Sequence, residues 1–167
     1  MQVTIRSALL RSFAVAALAG AAAWSIAQPM SAADPRGRWI TESGNLEVEI
    51  ASCGAALCGT VTKVLANNSM SQQGAAMAPL DGRSPLGMKL LDGFVAANAA
   101  DTARPTEWSG EIYNRENGKT YRCRMAMGAG AEASGQLVLR AYVGIPLFGK
   151  TQHWRRAPAD GGAQAQN

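Results

Sequence analysis

Short segments of alternating apolar and polar residues constrain this chain most, because they predict strands and are unlike long helices. In Leu46–Ile50 (LEVEI) the alternation is strict, so leucine, valine and isoleucine share one face and the glutamates share the other. Pairs typical of turns recur at short intervals: Asp81-Gly82, Asp92-Gly93, Asn117-Gly118 and Ser134-Gly135. The pattern beyond the N-terminal region therefore predicts an all-β domain.

The sharpest hairpin signal is Asn117-Gly118, which favours a two-residue type I′ turn between strands Trp108–Tyr113 and Thr120–Met127. Further strands are predicted at Trp39–Thr41, Leu57–Leu65, Met88–Leu91, Gln136–Val143 and Thr151–Arg156. Short strands at this spacing indicate a single small antiparallel barrel of about 8–10 strands, or a sandwich.

The N-terminus has the layout of a secretory signal peptide. Arginines precede the uncharged apolar run Ser12–Ile26, and Pro29 then ends the predicted helix. Small residues before Asp34 favour cleavage after Ala33, with Ala27 as a second site. An uncleaved membrane anchor is the alternative, but the run is shorter than the ~20 residues that a span needs. We therefore expect a periplasmic or secreted protein.

This leader divides the chain into three predicted parts. Residues 1–33 are the signal peptide, 34–157 the barrel domain, and 158–167 a low-complexity tail that we expect to be disordered. The net charge of +4 is partly contributed by the leader, and no basic stripe with interleaved aromatic residues is present. We therefore expect no nucleic-acid partner and no membrane span in the mature form.

Two of the chain's three cysteines, Cys53 and Cys58, flank Gly54 and so predict a covalent staple across a tight hairpin. Disulfides persist in the oxidising compartments that exported chains enter. A zinc site needs about four ligands, and a redox pair is more often Cys-x-x-Cys, so we expect neither a metal nor a cofactor. Cys123 is interpreted as a buried free thiol, with a catalytic role as the alternative.

Several segments together resemble the exported bacterial family DUF2147, a domain of unknown function, over roughly residues 36 to 156. The matching segments are Gly37–Trp39, Cys53–Gly59, Gly82–Gly87, Trp108–Asn114, Gly118–Tyr121, Leu139–Gly149 and Thr151–Arg156. The resemblance implies a lipocalin-like β-barrel and brings no established activity. It also implies that Arg156, on the last strand, stacks on Trp39 of the first strand and closes one end of the barrel.

The orientation of Gln136–Val143 is left open, because both of its faces carry apolar residues. Either Leu137, Leu139 and Ala141 point inward, or Val138, Arg140 and Tyr142 do. An inward Arg140 would be a buried charge that needs a partner, such as an anionic ligand.

Three classes of function remain. The first is a binding protein for a small, partly apolar ligand, with pocket candidates Trp39, Trp108, Tyr113, Tyr121, Arg140, Tyr142 and Trp154. The second is an envelope interaction module with a filled barrel, which would use the long loop Ala66–Pro85 to meet a protein partner. An enzyme is the least expected: no catalytic motif is present, and His153 and the pair Glu107 and Glu111 fit an outward face.

Overall fold

Eight antiparallel strands close into a barrel in chain order in the computed structural model, which describes residues 34–98, 105–129 and 135–159. Each strand pairs with its neighbour along the chain, and the first pairs with the last. The strands are β1 (Gly37–Ile40), β2 (Leu46–Cys53), β3 (Ala56–Val64), β4 (Lys89–Ala96), β5 (Glu107–Asn114), β6 (Lys119–Met127), β7 (Leu137–Tyr142) and β8 (Lys150–Arg156).

The predicted all-β barrel is therefore confirmed, with a single 3₁₀ turn at Pro146–Phe148 as the helical element of the described chain. The predicted signal peptide and most of the predicted tail lie outside the described residues, so these boundaries stay predictions. No helix in the described ranges is long and apolar enough to cross a membrane.

Inward-facing side chains of all eight strands form one continuous core. Alternation along each strand sends every second side chain to the interior, as the period of a pleated strand requires. On β7 the inward residues are Leu137, Leu139 and Ala141, which decides the orientation that the sequence left open. The most deeply buried large residues are Trp39, Val48, Ile50, Val61, Leu91, Phe94, Met125, Leu137, Leu139 and Trp154.

Two inward glycines make room for large side chains of β4. A Cβ added at Gly59 would lie 2.9 Å from Leu91 Cδ1, and one added at Gly110 would lie 2.6 Å from Phe94 Cδ2. Gly110 is also tight against backbone, since its added Cβ would lie 2.7 Å from the carbonyl oxygen of Asp92. Side chains of Leu91 and Phe94 therefore occupy the space that a side chain at these two positions would need.

The β5–β6 connection differs from the predicted two-residue turn. Asn114 pairs with Lys119, which leaves a four-residue loop at 115–118. A type I′ turn needs positive φ at both central residues, but among the described residues only glycines, including Gly118 at 67°, have positive φ. The type I′ prediction was therefore wrong. Asn117 instead accepts a hydrogen bond from the Lys119 amide through its side chain (3.1 Å).

The end of the barrel formed by the chain's entry and exit is closed by Arg156 and Trp39. The Arg156 guanidinium carbon lies 4.1 Å from the centroid of the Trp39 ring, which is fully buried. Arg156 also donates hydrogen bonds to the carbonyl oxygens of Asp34 and Arg36, both at 2.7 Å. The Trp39 indole donates to the Pro35 carbonyl at 2.7 Å, so ring and guanidinium together fix the segment that leads into β1.

Cys53 and Cys58 form a disulfide on the outer side of the β2–β3 hairpin. The two residues are diagonal neighbours rather than directly opposed, because Cys53 pairs with Ala56 and Cys58 pairs with Ala51. Their Cα atoms are 5.8 Å apart, within the range that a disulfide spans. The predicted staple across the hairpin is therefore confirmed.

Cys123 is a free thiol that is fully buried, and burial raises its pKa to about 12. We therefore expect no thiol to react with Ellman's reagent at pH 8 in the native protein, because both the thiolate and access to it are missing. One thiol should react after denaturation, and three after denaturation with reduction. Three reactive thiols without reductant would contradict the disulfide, and fast reaction of the native protein would contradict the burial.

Candidate functional site

The opposite end of the barrel is open and holds a cavity of about 690 Å³. It lies at the end of the barrel where β1, β3, β5 and β7 end and β2, β4, β6 and β8 begin. The four loops that join these pairs of strands, at 41–45, 65–88, 115–118 and 143–149, therefore surround its mouth. We call the second of these the cover loop (residues 65–88). The inner walls are apolar and are formed mainly by Leu46, Val64, Met77, Leu90, Ile112, Ala141 and Trp154.

Trp154 and Gln152 place an indole and an amide on the inner wall from one face of β8. The Trp154 indole donates a hydrogen bond to Gln152 Oε1 at 3.0 Å, so its buried N–H has a partner. On the other side, Asn117 Nδ2 donates to the Tyr121 hydroxyl at 2.8 Å. The cavity thus combines an apolar body with a few oriented polar groups, as small-molecule sites usually do.

The cover loop is held to the barrel by a reciprocal pair of asparagines. Asn45 is buried, with only 3 % of its surface exposed. Its side-chain amide donates to the Asn68 carbonyl, and its side-chain oxygen accepts from the Asn68 amide, both at 2.7 Å. Within the loop, Met77 is buried and is paired through its backbone with Asn67. This long segment therefore has a defined path across the mouth.

Glu116 clamps the tip of the cover loop to the β5–β6 loop. Its carboxylate accepts hydrogen bonds from the hydroxyls of Ser69 and Ser71 and from the Met70 amide at 3.1 Å. These donors stabilise the charged form and lower the pKa of Glu116. Sequence reasoning missed this residue, because nothing in the sequence around Glu116 indicates that its partners lie more than forty positions away.

A second clamp joins the cover loop to β5. Asp81 accepts a 2.8 Å hydrogen bond from the Tyr113 hydroxyl and a forked ion pair from Arg83. The Arg83 side chain, its backbone amide and the Tyr113 hydroxyl hold the pKa of Asp81 well below its usual range. Tyr113 borders the cavity, and its own pKa is raised by the hydrogen bond to Asp81. This tyrosine therefore fixes the mouth rather than facing a ligand with a free hydroxyl.

Two cationic side chains, Arg115 and Lys150, border the cavity, and no aspartate or glutamate among the described residues does so. Arg115 Nη2 donates to the Arg83 carbonyl at a long 3.4 Å, while its Nε is buried without a hydrogen-bond partner. Lys150 Nζ reaches the Met70 carbonyl at 3.5 Å. Neither cation forms a salt bridge within the described residues, so the rim of the cavity carries positive charge.

The structure separates the predicted pocket residues into two groups. Tyr113, Tyr121, Tyr142 and Trp154 border the cavity. Trp39, Trp108 and Arg140 do not border it. Both tryptophans point inward, but they lie towards the closed end, where Trp39 is opposite Arg156 and Trp108 is opposite Ala96.

Arg140 points outward, so the hypothesis that it binds an anionic ligand inside the barrel was wrong. Its guanidinium donates to the carbonyl oxygens of Pro146 and of Leu147 (2.8 Å), and to the Thr151 hydroxyl (2.7 Å). These bonds tie the 3₁₀ turn to β7 and β8. Arg140 is therefore a positioning residue for the loop at 143–149, which forms part of the mouth.

The residues considered for catalysis do not converge. His153 is exposed on the outer face of β8, and Glu111 is exposed on β5. Glu107 is ion-paired with Arg124, and Cys123 is enclosed in the core. The sulfurs of Cys53 and Cys58 lie near Asp92, but they are bonded to each other and offer no thiolate to a metal.

The sequence model of a family described as an uncharacterised protein conserved in bacteria (DUF2147) matches residues 37–156. Among solved structures, protein HP1028 from the human pathogen Helicobacter pylori, described as belonging to the lipocalin family, is similar. The match has a TM-score of 0.52 and 18 % sequence identity, and it covers 75 % of this chain and 84 % of that one. No curated protein is significantly similar to this chain.

At that identity the likeness concerns the fold, which agrees with the closed eight-stranded barrel seen here. The family match extends from the first residue of β1 to the last residue of β8, and it therefore includes every strand and every loop around the cavity. This chain belongs to the DUF2147 family, and its domain is a lipocalin-like β-barrel.

Proposed function

We propose that this protein is an exported binding protein that holds a small, partly apolar ligand in the cavity at the open end of the barrel. The observation that carries the proposal is the cavity itself. Its volume of about 690 Å³ lies within the ~300–1,000 Å³ typical of small-molecule sites. Its walls are mainly apolar, and they include a few polar groups such as the Gln152 amide and the Tyr121 hydroxyl.

Two features support export. The N-terminal sequence has the layout of a secretory leader, and the Cys53–Cys58 disulfide suits an oxidising compartment. The proposed role needs no catalytic group, which agrees with the scattered positions of His153, Glu107 and Glu111.

Filling the cavity should abolish binding of a neutral apolar dye. Ala141 points inward from β7 and borders the cavity, so Ala141→Phe would place a ring in the ligand space. Fluorescence titration with N-phenyl-1-naphthylamine should show saturable binding to the wild-type protein. We expect the variant to bind at least about tenfold more weakly, a loss of ~1.4 kcal/mol of binding free energy.

Val138→Phe is the matched control, because Val138 is on the same strand but on the outer face. It should bind the dye like wild type, and thermal unfolding should show that both variants are folded. If Ala141→Phe binds as tightly as Val138→Phe, the dye does not occupy the cavity. If the wild-type protein binds no dye, the proposal of a binding protein fails.

An interaction module is the second candidate, and one observation favours it. Large apolar side chains are exposed on two loops around the mouth, whereas surfaces of soluble proteins rarely gather such residues without a partner. These residues are Leu80, Leu86, Val143, Ile145, Leu147 and Phe148. The partner would be an envelope protein with an apolar contact surface. The filled barrel that this hypothesis predicted is not what the structure has, so we rank it second.

A further inference from the structure

We propose that the ligand is an anionic amphiphile, whose head group binds between Arg115 and Lys150 at the rim while its apolar body enters the barrel. The inference rests on the proposed function, since it names the class of ligand that the same cavity would select. The size of the cavity and its apolar walls indicate only a small, partly apolar ligand, whereas the charges at the mouth indicate that the ligand is an anion.

The charge around the ligand space is positive. Arg115 and Lys150 are the two ionised residues that border the cavity within the described chain. Arg115 is the first residue of the loop between β5 and β6, and Lys150 is the first residue of β8. An anion at the mouth would therefore lie in a region of positive charge, and no carboxylate in the lining opposes it.

Three acidic residues at this end of the barrel already have hydrogen-bond partners. Glu116 is bound by the hydroxyls of two serines and by a backbone amide, and Asp81 is bound by Arg83 and Tyr113. The Glu42 carboxylate accepts from the His153 amide at 3.3 Å on the outer side of β8. None of these three carboxylates borders the cavity, so none neutralises the two rim cations from inside it.

The hydrogen bonding of the Arg115 guanidinium is incomplete. A guanidinium has five N–H donors, and a buried donor without a partner costs free energy. Here Nε is buried and unpaired, and Nη2 makes only a long bond to a carbonyl. A carboxylate or phosphate at the rim could accept charge-assisted hydrogen bonds from the terminal Nη groups of this guanidinium, and bonds of this kind are the stronger ones.

The interior has the opposite character, which requires the ligand to be amphiphilic. Below the rim the walls are formed by Leu46, Leu90, Ile112 and Trp154, and the indole N–H of Trp154 is already bonded to Gln152. A fully polar anion would leave these walls without contact. A chain or ring system attached to the anionic group would fill them and exclude water.

The test holds the apolar tail constant and varies the head group. Dodecanoate, dodecyl phosphate, dodecanol and dodecyltrimethylammonium would each displace the neutral dye from the delipidated wild-type protein, below their micellar concentrations. We expect at least one of the two anions to bind about tenfold or more tightly than the alcohol, and the cation to bind most weakly. The order of the carboxylate and the phosphate identifies which anionic group the rim prefers.

Charge-removing variants then assign the preference to the rim. Arg115→Gln and Lys150→Gln should each reduce it, and the double variant should bind the anions and the alcohol alike while its affinity for dodecanol is unchanged. Arg155→Gln is the matched control, since Arg155 is exposed on β8 and does not border the cavity. It should keep the full preference.

The outcomes separate this inference from the proposed function. If dodecanol binds as tightly as both anions, or if the double variant keeps the preference, the inference is overturned while the binding cavity stands. If the dye itself does not bind to the wild-type protein, the proposed function fails first and the head-group inference fails with it.

Discussion

Replacing Arg156 by alanine should lower the free energy of unfolding by about 2–4 kcal/mol. The guanidinium stacks on the buried Trp39 ring, a contact worth ~0.5–2 kcal/mol. It also donates hydrogen bonds to the carbonyl oxygens of Asp34 and Arg36, and charged hydrogen bonds contribute ~1.5–3 kcal/mol each in favourable cases. The sum is reduced because part of this side chain stays in contact with water. Urea unfolding followed by tryptophan fluorescence measures the change.

Arg155→Ala is the control for this prediction, because it removes the same type of side chain from the exposed face of the same strand. It should change stability by less than about 0.5 kcal/mol. Arg156→Lys should recover only part of the loss, since an ammonium group lacks the planar fork that reaches both carbonyls. Equal stability of Arg156→Ala and Arg155→Ala would show that the closure contributes nothing measurable.

Gly110→Ala should destabilise the barrel by up to about 3 kcal/mol, the upper part of the range for overpacked cores. The added methyl group would lie 2.6 Å from the Phe94 ring and 2.7 Å from the Asp92 carbonyl oxygen. The ring could rotate, but the carbonyl belongs to the neighbouring strand and can move only if the β4–β5 pairing shifts. Thermal and urea unfolding should both report the loss.

Gly82→Ala provides the matched comparison, because a Cβ at Gly82 meets no atom within 4 Å and its backbone needs no positive φ. That variant should be neutral or slightly stabilising, since alanine restricts the unfolded chain. If Gly110→Ala were as stable as Gly82→Ala, the close approach of β4 and β5 would not be the reason for a glycine at this position.

The two ends of the barrel differ in what their charged residues do. At the closed end, Arg156 stacks on the Trp39 indole and donates hydrogen bonds to backbone carbonyls, and these contacts stabilise the fold. The open end places its cations at a mouth where Arg115 keeps an unpaired donor. Because the disulfide and the Trp39–Arg156 contact lie away from the cavity, loop changes around the mouth can be tested without removing the contacts that hold the barrel together.

Sequence reasoning succeeded where a local pattern has one physical solution. Strict alternation in Leu46–Ile50 predicts a strand with its three apolar side chains in the core, and the structure has it, although Glu47 on the other face is also buried and ion-paired. Two cysteines flanking a turn can reach each other, and they do so. It failed at Asn117-Gly118, where the predicted turn type depends on φ at two residues. The actual loop is set by the pairing of Asn114 with Lys119, which the dipeptide alone does not encode.

The eight strands and the disulfide partners could be predicted from the sequence, and the family resemblance added the pairing of Trp39 with Arg156. The position of the cavity and the residues around it could be identified only in the folded barrel. Alternation assigns a side chain to a face of the strand but not to a height along the barrel axis. It therefore could not show that Trp154 borders the cavity while Trp39, which also points inward, packs against Arg156 at the closed end. Arg115 and Lys150 are brought to one rim only because the closed barrel gathers the ends of distant strands, and that closure depends on long-range pairing.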